Sequence, residues 1–322
     1  MTSEFAFIEA LRAIATDPAA RGLDDDAAVI EVGGENLVLT MDTMVEAVHF
    51  LPDDPAADVA WKLVAVNVSD LSAKGAKPIG CLVSYALGDS AWDRDFLAGL
   101  KQASLHFGIP LLGGDTVRMP DEAPRSFSLT AFGRGPNASV VPSRSGAMPG
   151  DRLWVSGTIG DAGLGLAILR KMPPSPEPVI AAAEWLAARY RRPAPVPSLG
   201  IALAPLVSAM MDVSDGLLVD ARRMADASKA VLAIAADMVP LSDAALEVSG
   251  GDLAARMAAM TAGDDYCLLF AAPAERTASI RETAAGLGCD VTIIGEVRAG
   301  AGLALTLDGK PVTLPEKLGY EH

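Results

Sequence analysis

Residues 38–50 read VLTMDTMVEAVHF. Val38 to Thr40 is an apolar, strand-like run, and Asp42 is expected where that strand ends. Glu46 and His49 follow in the loop beyond it. A short strand that delivers a carboxylate, with Glu and His just past it, is one way to present a metal-bound phosphate to a second substrate. If this stretch is the centre of a site, the rest of the chain must supply further acids to meet Asp42.

The bulk properties set limits on that site. At 322 residues and 51% hydrophobic, the chain can form two domains with sizeable cores. The formal net charge of −15 leaves no basic footprint for nucleic acid. It also means that phosphate substrates would be repelled unless cations intervene. No apolar run reaches the roughly 18 residues that span a membrane. The N-terminal MTSEFAFIEALRAIATD carries acids and no basic lead, so it is not read as a signal peptide. Three scattered cysteines without a CxxC suggest a reducing, cytoplasmic setting and no zinc site.

Working outward, helical spacing is expected over 4–14, 56–75 and 93–107, and strands over 27–32, 79–87 and 126–133. A short strand runs into GGDT at 113–116. Pro and Gly cluster at 142–151, which places a domain boundary there: 1–145 as one mixed α/β unit and 146–322 as another. The second half opens on a strand at 153–157 and a Gly-rich turn into a helix. A Pro-rich loop, MPPSPEPV, follows. Helices are expected at 179–190, 198–206, 214–227 and 274–287, strands at 231–235, 266–271 and 290–297, and a final hairpin turns at Asp308-Gly309.

The informative residues are acids at element ends or in Gly-rich turns: Asp24, Asp25 and Asp26; Asp42; Asp70; Asp115; Asp212 and Asp215; Asp264 and Asp265. Taken singly, each has an ordinary explanation. DDD is usually a solvated turn, GGDT a turn with a capping acid, and Ser214 or Asp215 an N-cap for a helix starting near Leu217. Lone histidines such as His49 and His106 are more often packed or surface groups. Jointly the pattern is harder to dismiss. These acids are flanked by apolar residues, as in VLTMD, VNVSDL and MMDVSDGL, and burying them without cations is costly. Oxygen-only ligands select hard cations, Mg²⁺ first, and Mg²⁺ leaves most of its positions to phosphates and water. Several Mg²⁺ ions and a polyphosphate ligand are therefore expected. No GxxxxGK[ST], HRD/DFG set, GxSxG or HExxH occurs, so a nucleotide would sit on a less familiar scaffold.

In order, LDDDAAV, TMDTMVEAVHF, NVSDLSAKGAKP, GGDT, RSGAMPGD, VSGTIGDAGLG, DVSDGLLVD and AGDDYCLLF closely resemble the thiamine-monophosphate kinase family of the aminoimidazole-ribonucleotide synthetase superfamily, from about Phe5 to Tyr320. The resemblance implies a two-domain α/β fold whose N-terminal domains pair into a β-barrel across a homodimer. It implies ATP-dependent phosphorylation of thiamine phosphate to thiamine diphosphate, the last step in making that cofactor, with several Mg²⁺ ions. Carried over by motif, Asp26, Thr40, Met41 (through its backbone), Asp42, Asp70, Asp115, Asp212 and Asp215 would hold metal. Gly114, Asp115, Arg144 and Ser214 would contact ATP, and His49, Asp264 and Tyr320 would contact thiamine phosphate. The sequence departs from the family at Asp24 (usually Gly), Asp264 (usually Glu), Cys267 (usually Glu), Tyr320 (usually Trp) and Leu97 (usually Tyr on the adenine side).

The implied chemistry is in-line transfer to a phosphate oxygen that is already ionised near neutral pH, because the second phosphate pKa is about 6. No general base is assigned, and a structural hydrogen bond is the expected role of Glu46. Two other readings remain open at this point. One keeps the superfamily and changes the acceptor, although a selenophosphate synthetase would need a reactive N-terminal Cys or Sec. The other is a non-catalytic Mg-nucleotide-binding protein.

Overall fold

The computed structural model describes residues 4–120, 123–136, 140–170 and 180–320. Its first half comprises α1 (Glu4–Arg12), β1 (Ala28–Val32), β2 (Glu35–Val45), α2 (Ala56–Ala73), β3 (Lys77–Leu87), α3 (Ser90–Phe107), β4 (Leu111–Arg118) and β5 (Ser126–Arg134). The five strands form one sheet in the order β1-β2-β5-β3-β4, antiparallel except for the β3–β4 pair. Gly33 and Gly34, both at positive φ, make the tight β1–β2 turn.

Strand β2 is longer than the sequence suggests. It does not end at Asp42: pairing with β5 continues from Asp42↔Leu129 to Val45↔Ser126. Val38, Thr40, Asp42 and Met44 alternate onto the face under α2, while Met41 and Thr43 point outward. The period-2 pattern thus runs on through polar residues, and two of them, Thr40 and Asp42, are directed inward.

The second half comprises β6 (Arg152–Ser156), α4 (Asp161–Leu169), α5 (Ile180–Arg191), α6 (Pro197–Leu203), β7 (Ala209–Val213), α7 (Leu217–Ser228), β8 (Val231–Ala235), α8 (Asp243–Ser249), α9 (Leu253–Thr261), β9 (Cys267–Ala272), α10 (Thr277–Gly286), β10 (Val291–Arg298), β11 (Gly302–Leu307) and β12 (Lys310–Val312). Seven strands form a second sheet in the order β12-β11-β8-β10-β6-β9-β7. The sequence reading did not foresee β7, α8 or α9. Of its two starts for α7, 214 and near Leu217, the second holds, and residues 214–215 are bent ahead of the helix. The Pro-rich stretch MPPSPEPV lies outside the described residues.

Helix α2 joins the two halves. Nearly all of its residues are buried, because it carries apolar side chains on every face. One face packs on β2 and β5 and another on α6 and β7. Polar ties cross the same junction: Trp61 Nε1 donates to the Pro193 carbonyl (2.9 Å), and Lys74 Nζ donates to that of Met210 (3.3 Å). The packing is close. A Cβ on Gly200 of α6 would stand 2.0 Å from the Ser72 carbonyl oxygen of α2.

Candidate active site

Three elements from different parts of the chain converge beside α2. The turn before β1 supplies Asp26, α2 supplies Asp70 and β7 supplies Asp212, and one carboxylate oxygen of each lies within 4.8 Å of those of the other two. Asp42 stands next to them on β2, its backbone N–H donating to Asn67 Oδ1 at 3.2 Å. Thr40 Oγ1 donates to Asp70 Oδ2, and Ser69 Oγ to Asp212 Oδ2 at 2.6 Å. Among the described residues, the cations paired with the group, Arg144 and Lys74, both meet it at Asp26. The Arg144 Nε and Nη2 atoms hold Asp26 Oδ1 at 2.6 Å, and buried Lys74 lies 2.8 Å from Asp26 Oδ2 and pairs with Asp25. Asp26 Oδ2 is buried yet accepts no aligned hydrogen bond.

The electrostatics follow from this crowding. Burial, then the charges of Asp215 and Asp26, pushes the Asp42 carboxyl up to about 6. Burial and Asp26 push Asp212 up to about 8, against the stabilising donation from Ser69. Asp70 is held well above the usual carboxylate range by burial and by Asp42, Asp212 and Asp26. Asp25 goes the other way: burial would raise it, but Lys74 and Arg21 hold it at about 2. A buried group of acids, provided only with oxygen donors and short of positive charge, is a fit for hard divalent cations. Asp26, Asp42, Asp70 and Asp212 are the residues that would hold them.

A cavity of about 410 Å³ opens beside this group, lined by His49, Ser214, Asp215, Asp264, Tyr266 and Tyr320 among others. His49 sits in a tight turn after β2. Its N–H donates to the Val45 carbonyl (2.9 Å), while its Nδ1 accepts from the Val45 N–H (3.0 Å). Glu46, in the same turn, accepts from the Arg125 backbone N–H (2.9 Å) and guanidinium (3.0 Å), which is a structural role. On the opposite wall the Asp264 N–H donates to the Ser214 carbonyl (2.7 Å), with Asp264 and Tyr266 both at positive φ. Such backbone strain in non-glycine residues clusters at functional sites. Asp265 is buried and accepts from Gly160 N–H (2.7 Å) at the start of α4. The C-terminal tail closes the cavity through the Tyr320 N–H, which donates to the Asp215 carbonyl at 2.9 Å.

Ser214 and Asp215 do not cap α7 with their side chains. Gly216 holds that position without a side-chain bond, and the Asp220 carboxylate accepts from the N–H groups of Ser214 (3.0 Å) and Asp215 (3.1 Å). Both residues line the cavity. Arg223 braces Asp215 and Asp220 at 2.6 and 2.8 Å. Sequence reasoning missed Asp220, Arg223, Lys74 and Lys62. The one available signal was charge at inward positions of apolar helices, as with Lys62 in α2.

Two expected residues are not gathered with the others. Gly114 and Asp115 lie on β4, whose residues are exposed along its whole length. The row Asp42–Leu129–Val83–Gly114 crosses the sheet from β2 to β4. Three strand spacings of about 4.8 Å therefore separate Gly114 from Asp42. Asp24 points away to an ion pair with Arg12, and Leu97 is exposed on α3.

Residues 24–135 match the family profile of the AIR synthase related protein N-terminal domain, and residues 148–308 that of its C-terminal domain. The thiamine-monophosphate kinase of Caulobacter vibrioides is 38% identical over 95% of this chain and 86% of its own. That of Escherichia coli K12 is 36% identical over 94% and 91%.

The chain belongs to the thiamine-monophosphate kinase family.

Within that family, the solved structure of AaThiL complexed with AMPPCP and TMP superposes with a TM-score of 0.83 at 30% identity, covering 99% of this chain and 97% of that one. The thiamine-monophosphate kinase fold is thus present over nearly the full length, including both sheets and the α2 junction.

Proposed function

We propose that the chain catalyses ATP-dependent phosphorylation of thiamine phosphate to thiamine diphosphate. The observation that carries this reading is the placement of an acidic group, drawn from both halves of the chain, against a cavity large enough for the acceptor. The names of the relatives, and the AMPPCP and TMP bound by one of them, support the same pair of substrates.

In this reading Asp26, Asp42, Asp70 and Asp212 hold several Mg²⁺ ions, with Thr40, the Met41 backbone and Asp215 beside them. When bound, the ions supply charge neutralisation for the two polyanionic substrates. The chain's own residues position the reactants. Arg144 and Ser214 contact the nucleotide, while His49 and Asp264 orient the acceptor and Tyr320 lies against its rings. An acceptor phosphate oxygen attacks the γ-phosphorus of ATP as the bond to the β-phosphate oxygen breaks, giving thiamine diphosphate and ADP. The acceptor is already ionised, so no general base is assigned.

We also propose a cytoplasmic homodimer, divided near residues 145/146 in each chain. Among the described residues no helix is long and apolar enough to cross a membrane. The exposed edge strand β4 carries Leu111, Leu112 and Val117, and an unpaired apolar edge of this kind favours a partner sheet. A second copy docked along β4 would put Gly114 and Asp115 at the interface, and their nucleotide and metal roles belong there. Substrate profiling tests the function. ADP release that requires thiamine phosphate and does not occur with thiamine supports the reading; ADP release indifferent to the acceptor counts against it.

A further inference from the structure

Lys62 is a cation inside the apolar helix α2, with its side chain 3% exposed. Its ammonium donates to the His49 carbonyl at 3.1 Å and to Asp264 Oδ2 at 2.9 Å, and it lies 4.0 Å from the centre of the Tyr190 ring on α5. Asp264 Oδ1 accepts from the Tyr266 hydroxyl at 3.1 Å. The two groups that Lys62 joins belong to opposite walls of the cavity: His49 comes from the first half of the chain and Asp264 from the second.

We infer that Lys62 is a positioning residue for the acceptor: by bridging the His49 turn and the Asp264 loop it sets the spacing of the two cavity walls. The inference rests on the proposed function for its substrate, but not for its geometry. A buried ammonium with charged and carbonyl acceptors makes stronger hydrogen bonds than a neutral donor would. It does so where the backbone on one side is held at positive φ and gains from a fixed anchor. The Tyr190 face supplies the remaining coordination as a cation–π contact.

The test uses Lys62→Met, which keeps the stem and loses the ammonium, Lys62→Arg, which keeps the charge, and Asp264→Asn. Lys62→Met is expected to raise KM for thiamine phosphate about tenfold and leave KM for ATP within about twofold, the worth of one charged hydrogen bond. Lys62→Arg should recover part of that loss. The Lys62→Met/Asp264→Asn double variant should be no worse than the more impaired single one. Equal changes in both KM values, or none, would overturn the inference. Amide hydrogen exchange on the substrate-free protein decides separately from turnover. Exchange should speed up at residues 46–50 and 262–266 in Lys62→Met while β6 and β10 keep wild-type rates; unchanged exchange in both loops would also overturn it. A wild-type protein that makes no thiamine diphosphate, together with this loop response in Lys62→Met, would defeat the proposed function and leave the Lys62 bridge standing.

Discussion

In the proposed function, Asp42 meets a functional demand at the scale of one side chain. Folding alone would favour an apolar residue on the inward face of β2, between Thr40 and Met44. Instead a carboxyl is held there at a pKa of about 6 by burial and by Asp215 and Asp26. Asp42→Asn should therefore lower turnover by about a thousandfold or more while leaving the circular-dichroism spectrum and the metal-free melting temperature unchanged or slightly raised, since it removes like-charge repulsion. Tyr320→Ala should raise KM for thiamine phosphate about tenfold, with steady-state kinetics showing little change in KM for ATP. Asp42, Asp70 and Asp212 were legible as candidates in the sequence because each interrupts an apolar run, as in VNVSDL and MMDVSDGL, and Asp26 because it stands in a run of three acids. The cations were not. Lys62 and Asp264 are 202 positions apart, and a single lysine in an apolar helix carries no mark of the partner it will find.

Among elements, β2, α2 and β7 do most to assemble the site, and they were read with unequal success. The periodicity of α2 and the alternation of β2 predict a helix and a strand. β7, AMMDV, is buried at every position, and so short a run, apolar but for Asp212, does not distinguish strand from buried helix. The convergence of these elements makes stability depend on pH and metal. Asp42 and Asp212 have folded-state pKa values of about 6 and 8 against an ordinary 3.8. Well below pH 3.8 they are protonated whether the chain is folded or not. As pH rises toward 8 the folded state must give up protons that the unfolded chain has already lost, so the metal-free protein loses stability over that window. In the proposed reading, Mg²⁺ would replace those protons. Melting curves should show a Mg²⁺-induced rise of several degrees at pH 8 that shrinks toward pH 5.5; an equal rise at both would contradict the assignment. The α2–α6 contact offers a second check. Gly200→Ala would drive a Cβ against the Ser72 carbonyl, and urea titration should report a loss of about 1–3 kcal/mol.

At the scale of the whole molecule, the two halves present an acidic cleft at their junction and an open sheet edge away from it. The two-domain α/β organisation was legible from the order of elements. The relation of GGDT to the cleft was not, because Asp115 lies on the far edge of the same sheet. If β4 is the seam of a homodimer, Leu112→Glu should convert a dimer to monomer in light scattering and lower activity with it; a wild-type monomer with full activity would remove the seam and the interface role of Asp115. The central claim is that the cleft transfers a phosphoryl group to thiamine phosphate. It is tested most directly by chromatographing the products of purified protein incubated with ATP, Mg²⁺ and thiamine phosphate. Thiamine diphosphate and ADP should appear in equal amounts, and neither should form when Mg²⁺ is chelated or Asp42 is replaced by Asn; a folded, Mg²⁺-loaded wild-type protein that yields no thiamine diphosphate would contradict it.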